Sequence, residues 1–358
     1  MNAGVIGYLN SKNIGDYVQT LSVINLINQD YTILERESLN NYKGKKTKTI
    51  INGWFMENPL KFPPSKHIDP IFISFHINPS IEKEFLNPKT IDYLKQYQPI
   101  GCRDKYTLNL LKRHNIETYF SSCVTLTLKK QDFMDSSYKE KRILIIGAFD
   151  RLKPSIRTSQ GVIKTVISFM KWPYKFFNYQ SKNYIFRKWL NNQNYDAEFF
   201  NQIVEEKISS HSEGIEKAKS MLKKIANSEI VITSRIHSAL PAVAMDKKVI
   251  FIDDGLEHIN HKSRLSGLTS FFKSITYCSK PNCVNSFFFA DIASGIKAMI
   301  KENKIYKFIR FIKYLISRLR TNLSCSFSFV PGALLTSPLA EGVIVNNTLG
   351  YQGFLLLY

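Results

Sequence analysis

The feature that most constrains this fold is an alternation of two kinds of segment through the first third of the chain. Short runs rich in β-branched and aromatic residues alternate with stretches whose apolar residues recur at helical spacing. The strand-like runs cover residues 4–8, 31–34, 49–52, 71–75, 100–102 and 118–120, and the helical stretches cover 17–28, 88–97 and 105–114. Asp16 and Asp104 stand where helix N-caps are expected. The alternation predicts an α/β fold built on a parallel sheet.

A polar stretch at residues 129–141 interrupts this pattern, and a second pattern of the same kind follows it. Its segments are an apolar strand at 142–147, an amphipathic helix at 212–227, a strand at 229–233, an apolar helix through Ala244 and a strand at 248–252. Residues 151–194 show no pattern that can be assigned beyond helices and loops. Because 358 residues are enough for two domains, we predict two α/β domains divided near residue 135.

The C-terminal part of the chain differs from both. Residues 296–323 carry apolar side chains on one helical face and Lys or Arg on the rest, which predicts a basic amphipathic helix. Such a helix either packs against the domains or lies on an anionic membrane surface. The tail at 324–358 has Glu341 as its only charged residue from Ser326 onward, and no structure is predicted for it.

Composition excludes several classes of protein. With 44% hydrophobic residues the chain is neither disordered nor collagen-like, and its five cysteines form no Cys-x-x-Cys pair, which argues against a disulfide framework and a zinc site. We expect a cytoplasmic protein, because no basic segment followed by an apolar stretch opens the sequence. The excess of 49 Lys and Arg over 29 Asp and Glu favours an anionic partner, namely nucleic acid, membrane lipid or a phosphorylated small substrate. A merely solvated basic surface is the simpler alternative.

Three turns from strand to helix carry polar residues, and they are expected at the carboxyl edge of a parallel sheet, where ligands bind in open α/β folds. The first contains Asn13, Gly15 and Asp16. Gly15 permits a close backbone approach, and the free amides at the start of the helix can receive an anion. The alternative is a capped turn without function.

The other two turns each bring a guanidinium group next to a second polar group. Arg103 and Asp104 could clamp a carboxylate or phosphate while the acid orients a hydroxyl, or they could form a surface pair. Ser234 precedes Arg235, and Arg235 and His237 place a fixed cation beside a group that titrates near neutral pH. An Arg and a His at such a turn indicate chemistry rather than core packing.

Candidate metal ligands are weak. Asp253 and Asp254 follow a strand, and His258 and His261 stand three residues apart. Paired acids at a strand end usually begin a turn, and the histidines show no third ligand. No metal site is predicted.

Taken together, the segments resemble the polysaccharide pyruvyl transferase family. The resemblance spans residues 3–270 and rests on five matching stretches: 13–16 with Gln19, 51–54, 100–104 with Thr107 and 119–128, 231–241, and 264–268. Two positions depart from the pattern. Ser122 and Asp246 stand where many relatives have glycine.

The resemblance implies two Rossmann-like domains facing a cleft, as in the GT-B glycosyltransferases. Residues 1–135 would form the acceptor side and residues 136–295 the donor side. The implied reaction transfers a pyruvyl group from phosphoenolpyruvate, acting as donor substrate without a cofactor, to a sugar of a cell-surface polysaccharide or its precursor. The acceptor could be lipid-linked, and peripheral contact with the inner face of the plasma membrane is an open alternative. No nucleic-acid partner is expected.

The same resemblance suggests roles for the turn residues. His237 would transfer protons, and Arg103 and Arg235 would bind the phosphate and carboxylate of the donor. Asp104 or Asp16 would bind the sugar hydroxyl, with Asn13, Gly15 and Ser234 completing the substrate site.

Two other functions compete with this one. A glycosyltransferase that uses a nucleotide sugar would need the same architecture, since a fold does not determine a reaction. A non-enzymatic protein that binds nucleic acid or membrane would account for the basic composition.

Overall fold

A computed structural model describes residues 2–134, 141–154, 162–192, 196–277 and 343–346. The chain divides into two compact units. The larger comprises Met1–Lys153, Asn183–Tyr277 and Ile344–Tyr358, and the smaller comprises Pro154–Lys182 and Cys278–Val343. Both sheet cores and all the candidate site residues belong to the larger unit.

The first sheet has six strands, all of them parallel, in the order β2-β1-β3-β4-β5-β6. The strands are β1 (Asn2–Gly7), β2 (Tyr31–Glu35), β3 (Thr47–Phe55), β4 (Ile68–Ile77), β5 (Ile100–Cys102) and β6 (Thr118–Phe120). The helices of this part are α1 (Ile14–Ile27), α2 (Glu82–Phe85), α3 (Pro88–Gln96) and α4 (Lys105–Lys112). All six strands and the three helices expected from the sequence are present within a few residues of their predicted bounds.

The second sheet has the order β12-β11-β10-β9-β7-β8, and the pairs from β11 to β8 are parallel. Its elements are β7 (Lys141–Ile146), α5 (Val162–Asn192), β8 (Ala197–Phe200), α6 (His211–Ala226), β9 (Ser228–Thr233), α7 (Ile236–Ala244), β10 (Lys248–Ile252), α8 (Ile259–Leu265), β11 (Lys273–Tyr277) and β12 (Val343–Asn346). The predicted α/β fold with parallel sheets is confirmed. The region left unassigned by the sequence contains α5, a helix of 31 residues.

The core follows from the apolar strands. In β1, five of the six residues are buried, as expected of a parallel strand covered on both faces. Aromatic side chains fill the space beside β3 and β4, where the ring centroids of Phe55 and Phe75 lie 5.0 Å apart and those of Phe62 and Phe85 lie 4.7 Å apart.

The two predicted N-caps have different outcomes. Asp104 caps α4 as predicted, and its Oδ1 accepts a hydrogen bond of 2.9 Å from the Thr107 amide. The prediction for Asp16 is wrong, because Asn13 caps α1 and its Oδ1 accepts a 3.1 Å hydrogen bond from the Gly15 amide. Asn13 has the extended backbone that a cap requires, whereas Asp16 already lies in the first helical turn.

The two positions that depart from the family pattern share one backbone conformation. Ser122 and Asp246 both have φ of +58°. Glycine adopts this left-handed region without a steric penalty, whereas residues with a Cβ atom enter it at a cost. The backbone conformation at Ser122 and Asp246 therefore explains why glycine is the residue that the family pattern favours at these two positions.

Several predictions fall on parts of the chain that the structure does not describe. They are the basic amphipathic helix at 296–323, the tail at 324–358 apart from β12, and the end of the second domain up to residue 295. The domain boundaries and the placement of two domains around a cleft stay predictions. Within the described ranges, no helix combines the length and the apolar character needed to cross a bilayer.

Candidate active site

A chain of side-chain hydrogen bonds connects the turn before α1 to the start of α7. Ser238 Oγ donates to Gln202 Oε1 over 2.6 Å, and Gln202 Nε2 donates to Asn13 Oδ1 over 2.7 Å. Asn13 Nδ2 in turn donates to Asp16 Oδ1 over 3.1 Å. This amide relay holds the first and third predicted turns together. The Asp16 carboxylate also accepts a 2.7 Å hydrogen bond from Ser11 Oγ.

Gly15 and His237 meet within the same region. A Cβ atom at Gly15 would lie 2.3 Å from Gln202 Nε2 and 2.9 Å from His237 Cβ, which is closer than real Cβ atoms approach their neighbours. Gly15 is therefore required for space at this contact. The His237 side chain is buried, and its Nε2 has no hydrogen-bond partner among the described residues.

The second predicted turn, between β5 and α4, is fully buried. Arg103 and Asp104 are both 0% exposed, and Arg103 Nε lies 3.7 Å from Asp104 Oδ2. The same carboxylate oxygen accepts a 2.6 Å hydrogen bond from Nδ1 of His76, near the end of β4. All three nitrogens of the Arg103 guanidinium lack a hydrogen-bond partner in the described part of the chain.

The third turn places Arg235 after β9. Arg235 donates from its terminal nitrogen to Asp150 Oδ2 over 2.9 Å, while its Nε has no hydrogen-bond partner among the residues described. Ser234 Oγ donates to the carbonyl oxygen of Gly147 over 2.6 Å, which joins this turn to the end of β7. Gly147 has φ of +54°, and a Cβ atom there would lie 2.5 Å from Asp150 Oδ2.

Two further arginines complete what we call the arginine cluster, which consists of Arg103, Arg151, Arg235 and Arg264. Arg151 lies in the 3-10 turn Asp150–Leu152, and Arg264 lies on α8. The Nε atoms of both are buried without a hydrogen-bond partner in the described ranges. A buried N–H group without a partner is costly, so the cluster has the character of a site built for an anion.

The cluster is electrostatically coupled across its members. Burial, and then the charges of Arg235 and Arg264, lower the pKa of Arg151 to about 9. Burial and the charge of Arg103 lower the pKa of Arg264 to about 10. Both groups remain cationic at neutral pH, so like charges repel one another unless an anion compensates them.

The pKa values of His237 and of the two acids are all shifted, and the two acids shift in opposite directions. Burial, together with the charges of Arg103, Arg264 and Arg151, holds the pKa of His237 well below its ordinary value, so the ring is neutral. Burial raises the pKa of Asp16 although neighbouring arginines oppose it. Burial alone would raise the pKa of Asp104, but His76, Arg103 and the Thr107 amide outweigh it and hold the pKa below its usual value.

The predicted site residues thus form two connected groups. One group contains Asn13, Gly15 and Asp16, which are joined to α7 and His237 by the amide relay and by the contact at Gly15. In the other group, Arg103 and Arg235 both interact electrostatically with Arg264. Ser234 stabilises the third turn through its hydrogen bond to the carbonyl oxygen of Gly147. Asp253, Asp254, His258 and His261 assemble no cluster of three or more potential metal-binding groups with any other described residue.

Sequence reasoning missed four residues of this site. Arg264 had a signal, since it begins the last stretch that resembles the family, and His76 could have been found as a polar residue near the carboxyl end of a buried strand. Arg151 lies in a short 3-10 turn and Gln202 in a loop, and no motif surrounds either of them, so their contacts appear only in the structure.

Comparison with known proteins identifies a family for this chain. The family model described as polysaccharide pyruvyl transferase matches residues 13–255, which is more than half of the chain. The chain therefore belongs to the polysaccharide pyruvyl transferase family. A solved structure of a functionally uncharacterised protein from Klebsiella pneumoniae subsp. pneumoniae is similar at 13% identity and a TM-score of 0.41, over 74% of this chain and 87% of that chain. None of the curated proteins matches significantly.

Proposed function

We propose that this protein transfers the pyruvyl group of phosphoenolpyruvate to a sugar of a cell-surface polysaccharide or its precursor, forming a pyruvate ketal. The observation that carries the proposal is the arginine cluster with its unpartnered nitrogens. Phosphoenolpyruvate combines a phosphate and a carboxylate on three carbons and carries about three negative charges. Guanidinium groups suit both anions, because their planar N–H groups match the spacing of carboxylate and phosphate oxygens.

The reaction needs one proton donor and groups that accept protons from two hydroxyls. Protonation of the enol methylene makes the central carbon electrophilic, and one sugar hydroxyl adds to it. A second hydroxyl then displaces the phosphate, which leaves with the electron pair of the C–O bond. The methylene gains one proton and the departing phosphate carries the other, so the two hydroxyl protons balance the reaction.

The proposed roles follow from the surroundings of each group. His237 is neutral in the free protein, so its unpartnered Nε2 is suited to accept a hydroxyl proton and pass it on. Asp16 is the better candidate for binding the sugar hydroxyl, because its raised pKa suits proton exchange. Asp104 has a lowered pKa, and its two oxygens hold the His76 ring and the first turn of α4, so we assign it a positioning role.

The architecture belongs to the same proposal. We take the first sheet to be the acceptor domain and the second the donor domain of a GT-B arrangement. Arg103 from the first part and Arg235, Arg151 and Arg264 from the second would then hold the donor between them. The acceptor could be a polymer or a lipid-linked saccharide.

A phosphate-release assay tests the proposal. The protein is mixed with phosphoenolpyruvate and a panel of galactose-, mannose- and glucosamine-type acceptors, and we expect phosphate release that depends on one of them. His237→Ala should abolish it, whereas His114→Ala, a histidine after α4, should not. Near-normal turnover by His237→Ala would remove His237 from the mechanism. Thermal stabilisation by a nucleotide sugar but not by phosphoenolpyruvate would favour a glycosyltransferase instead.

A further inference from the structure

His76 is a buried histidine with one ring nitrogen bound to a carboxylate and the other without a hydrogen-bond partner among the described residues. It lies on β4, is 0% exposed, and its Nδ1 is 2.6 Å from Asp104 Oδ2. The Thr107 hydroxyl lies 3.2 Å from the same nitrogen. Its Nε2 is buried and has no hydrogen-bond partner among the described residues. A core histidine held only for packing would have both nitrogens satisfied.

The contact with Asp104 determines which nitrogen carries the proton in the neutral ring. An ionised carboxylate only accepts hydrogen bonds, so Nδ1 must be the donor. Nε2 therefore carries a lone pair. The ring can take up one proton there without breaking its hydrogen bond to Asp104.

The charged groups around His76 decide when it does so. Asp104 attracts a proton to the ring, while Arg103 beside it and Arg264 on α8 repel one. His237 on α7 is the other titratable ring coupled to it. Burial is the largest effect, and the balance lowers the pKa of His76 to about 4 in the free protein. The Cys102 thiol, which is coupled to the same Asp104, is neutral because burial raises its pKa to about 12.

We propose that His76 takes up a proton on Nε2 when phosphoenolpyruvate occupies the arginine cluster, and that the resulting N–H donates to the bound anion. The inference rests on the donor assigned above. The negative charge of the donor compensates Arg103 and Arg264 and, placed against Nε2, attracts a proton together with Asp104, which opposes the effect of burial. The proton comes from solvent, forms the Nε2–H bond, and returns to solvent when the products leave.

One consequence is measurable without turnover. A site that gains a proton on binding holds its ligand more tightly as pH falls, up to about tenfold per pH unit for one full proton. The proton that phosphoenolpyruvate itself exchanges contributes equally in any variant. The difference between the wild type and His76→Gln therefore reports the proton uptake that depends on His76.

Calorimetric titration with phosphoenolpyruvate in two buffers of different ionisation enthalpy tests the proposal. We expect the wild type to take up more protons than His76→Gln, with the difference approaching one proton per bound donor. His237→Gln serves as the matched variant, and we expect it to retain most of the difference. Equal uptake by the wild type and His76→Gln overturns the proposal, and loss of uptake only in His237→Gln assigns the proton to that ring instead.

A second measurement needs no variant. In the wild type labelled with ¹⁵N-histidine, the ring whose Nδ1 proton is shifted far downfield by the bond to Asp104 should show an unprotonated Nε2 alone and a protonated one with phosphoenolpyruvate. An Nε2 that stays unprotonated in the complex overturns the inference while leaving the proposed reaction intact. A wild type that binds no phosphoenolpyruvate overturns both, so the two failures are distinguishable.

Discussion

Gly15 at the start of α1 lies against His237 at the start of α7, with no room between them for a methyl group. A Cβ atom at Gly15 would stand 3.0 Å from Nδ1 of the imidazole. The glycine in the first strand-to-helix turn is thus explained by the histidine in the third. Two motifs more than 200 residues apart are parts of one contact.

Gly15→Ala should disturb this contact. Forcing a methyl group against His237 and Gln202 is expected to cost about 1–3 kcal/mol in the free energy of unfolding and to reduce phosphate release, because the imidazole must move. Denaturant unfolding and the release assay measure the two effects. Asn25→Ala, an exposed position on the same helix, should leave both nearly unchanged, and a fully active Gly15→Ala protein would contradict this account.

Arg103→Gln should weaken donor binding. A hydrogen bond to a charged group contributes about 1.5–3 kcal/mol, so the Kd for phosphoenolpyruvate should rise by roughly 10- to 150-fold. Titration calorimetry gives the Kd. Arg113→Gln is the matched control. The Arg113 side chain is 65% exposed, and the substitution removes a surface ion pair with Glu82 in which the charged atoms lie 3.9 Å apart. Equal Kd values for the two variants would exclude Arg103 from the donor site.

Stability should depend on pH through His76. Its pKa is about 4 in the folded protein against an ordinary 6.5, so between these values the unfolded chain binds more protons on this ring and stability falls as pH falls. Relative to His76→Gln, the wild type should lose about 2–3 kcal/mol of unfolding free energy between about pH 7 and about pH 4.5. Urea unfolding at the two pH values measures the difference. A difference that does not vary with pH would show that the ring titrates normally.

Asp246→Gly should stabilise the protein relative to Asp246→Ala. Both variants lose the same exposed carboxylate and differ only in a Cβ atom at a position with φ of +58°. The glycine variant is expected to be more stable by about 1 kcal/mol, with unchanged activity. Thermal unfolding compares the two, and a more stable alanine variant would speak against strain at this turn.

The sheets were predictable because their signals are local. Residues 228–252 show why: a β-branched run, a polar turn, an apolar helix and another strand follow one another, and each was placed within a few residues. Arg103, Arg235 and His237 were predicted as site residues for the same reason, since polar residues after buried strands stand out.

The remainder depended on contacts that are distant in sequence. Asp16 has a side chain suited to an N-cap, yet Asn13 is the N-cap of α1 because its backbone is extended there. Gln202 has no motif around it, and its role arises only because Asn13 and Ser238 lie on either side of it. His76 gains its role from Asp104, 28 residues later in the chain. Local periodicity carries no information on such pairings.

The amide relay has a polarity that follows from its chemistry. Asn13 Oδ1 can only accept, so the carboxamide of Gln202 has one orientation, and every hydrogen from Ser238 onward points toward Asp16. Hydrogen bonds aligned in this way polarise one another. A change of charge on Asp16 therefore alters the polarisation of the hydrogen bond made by Ser238, the residue next to His237, without any backbone movement. Asp16 and the start of α7, which carries His237, are thus coupled through aligned hydrogen bonds rather than through a hinge.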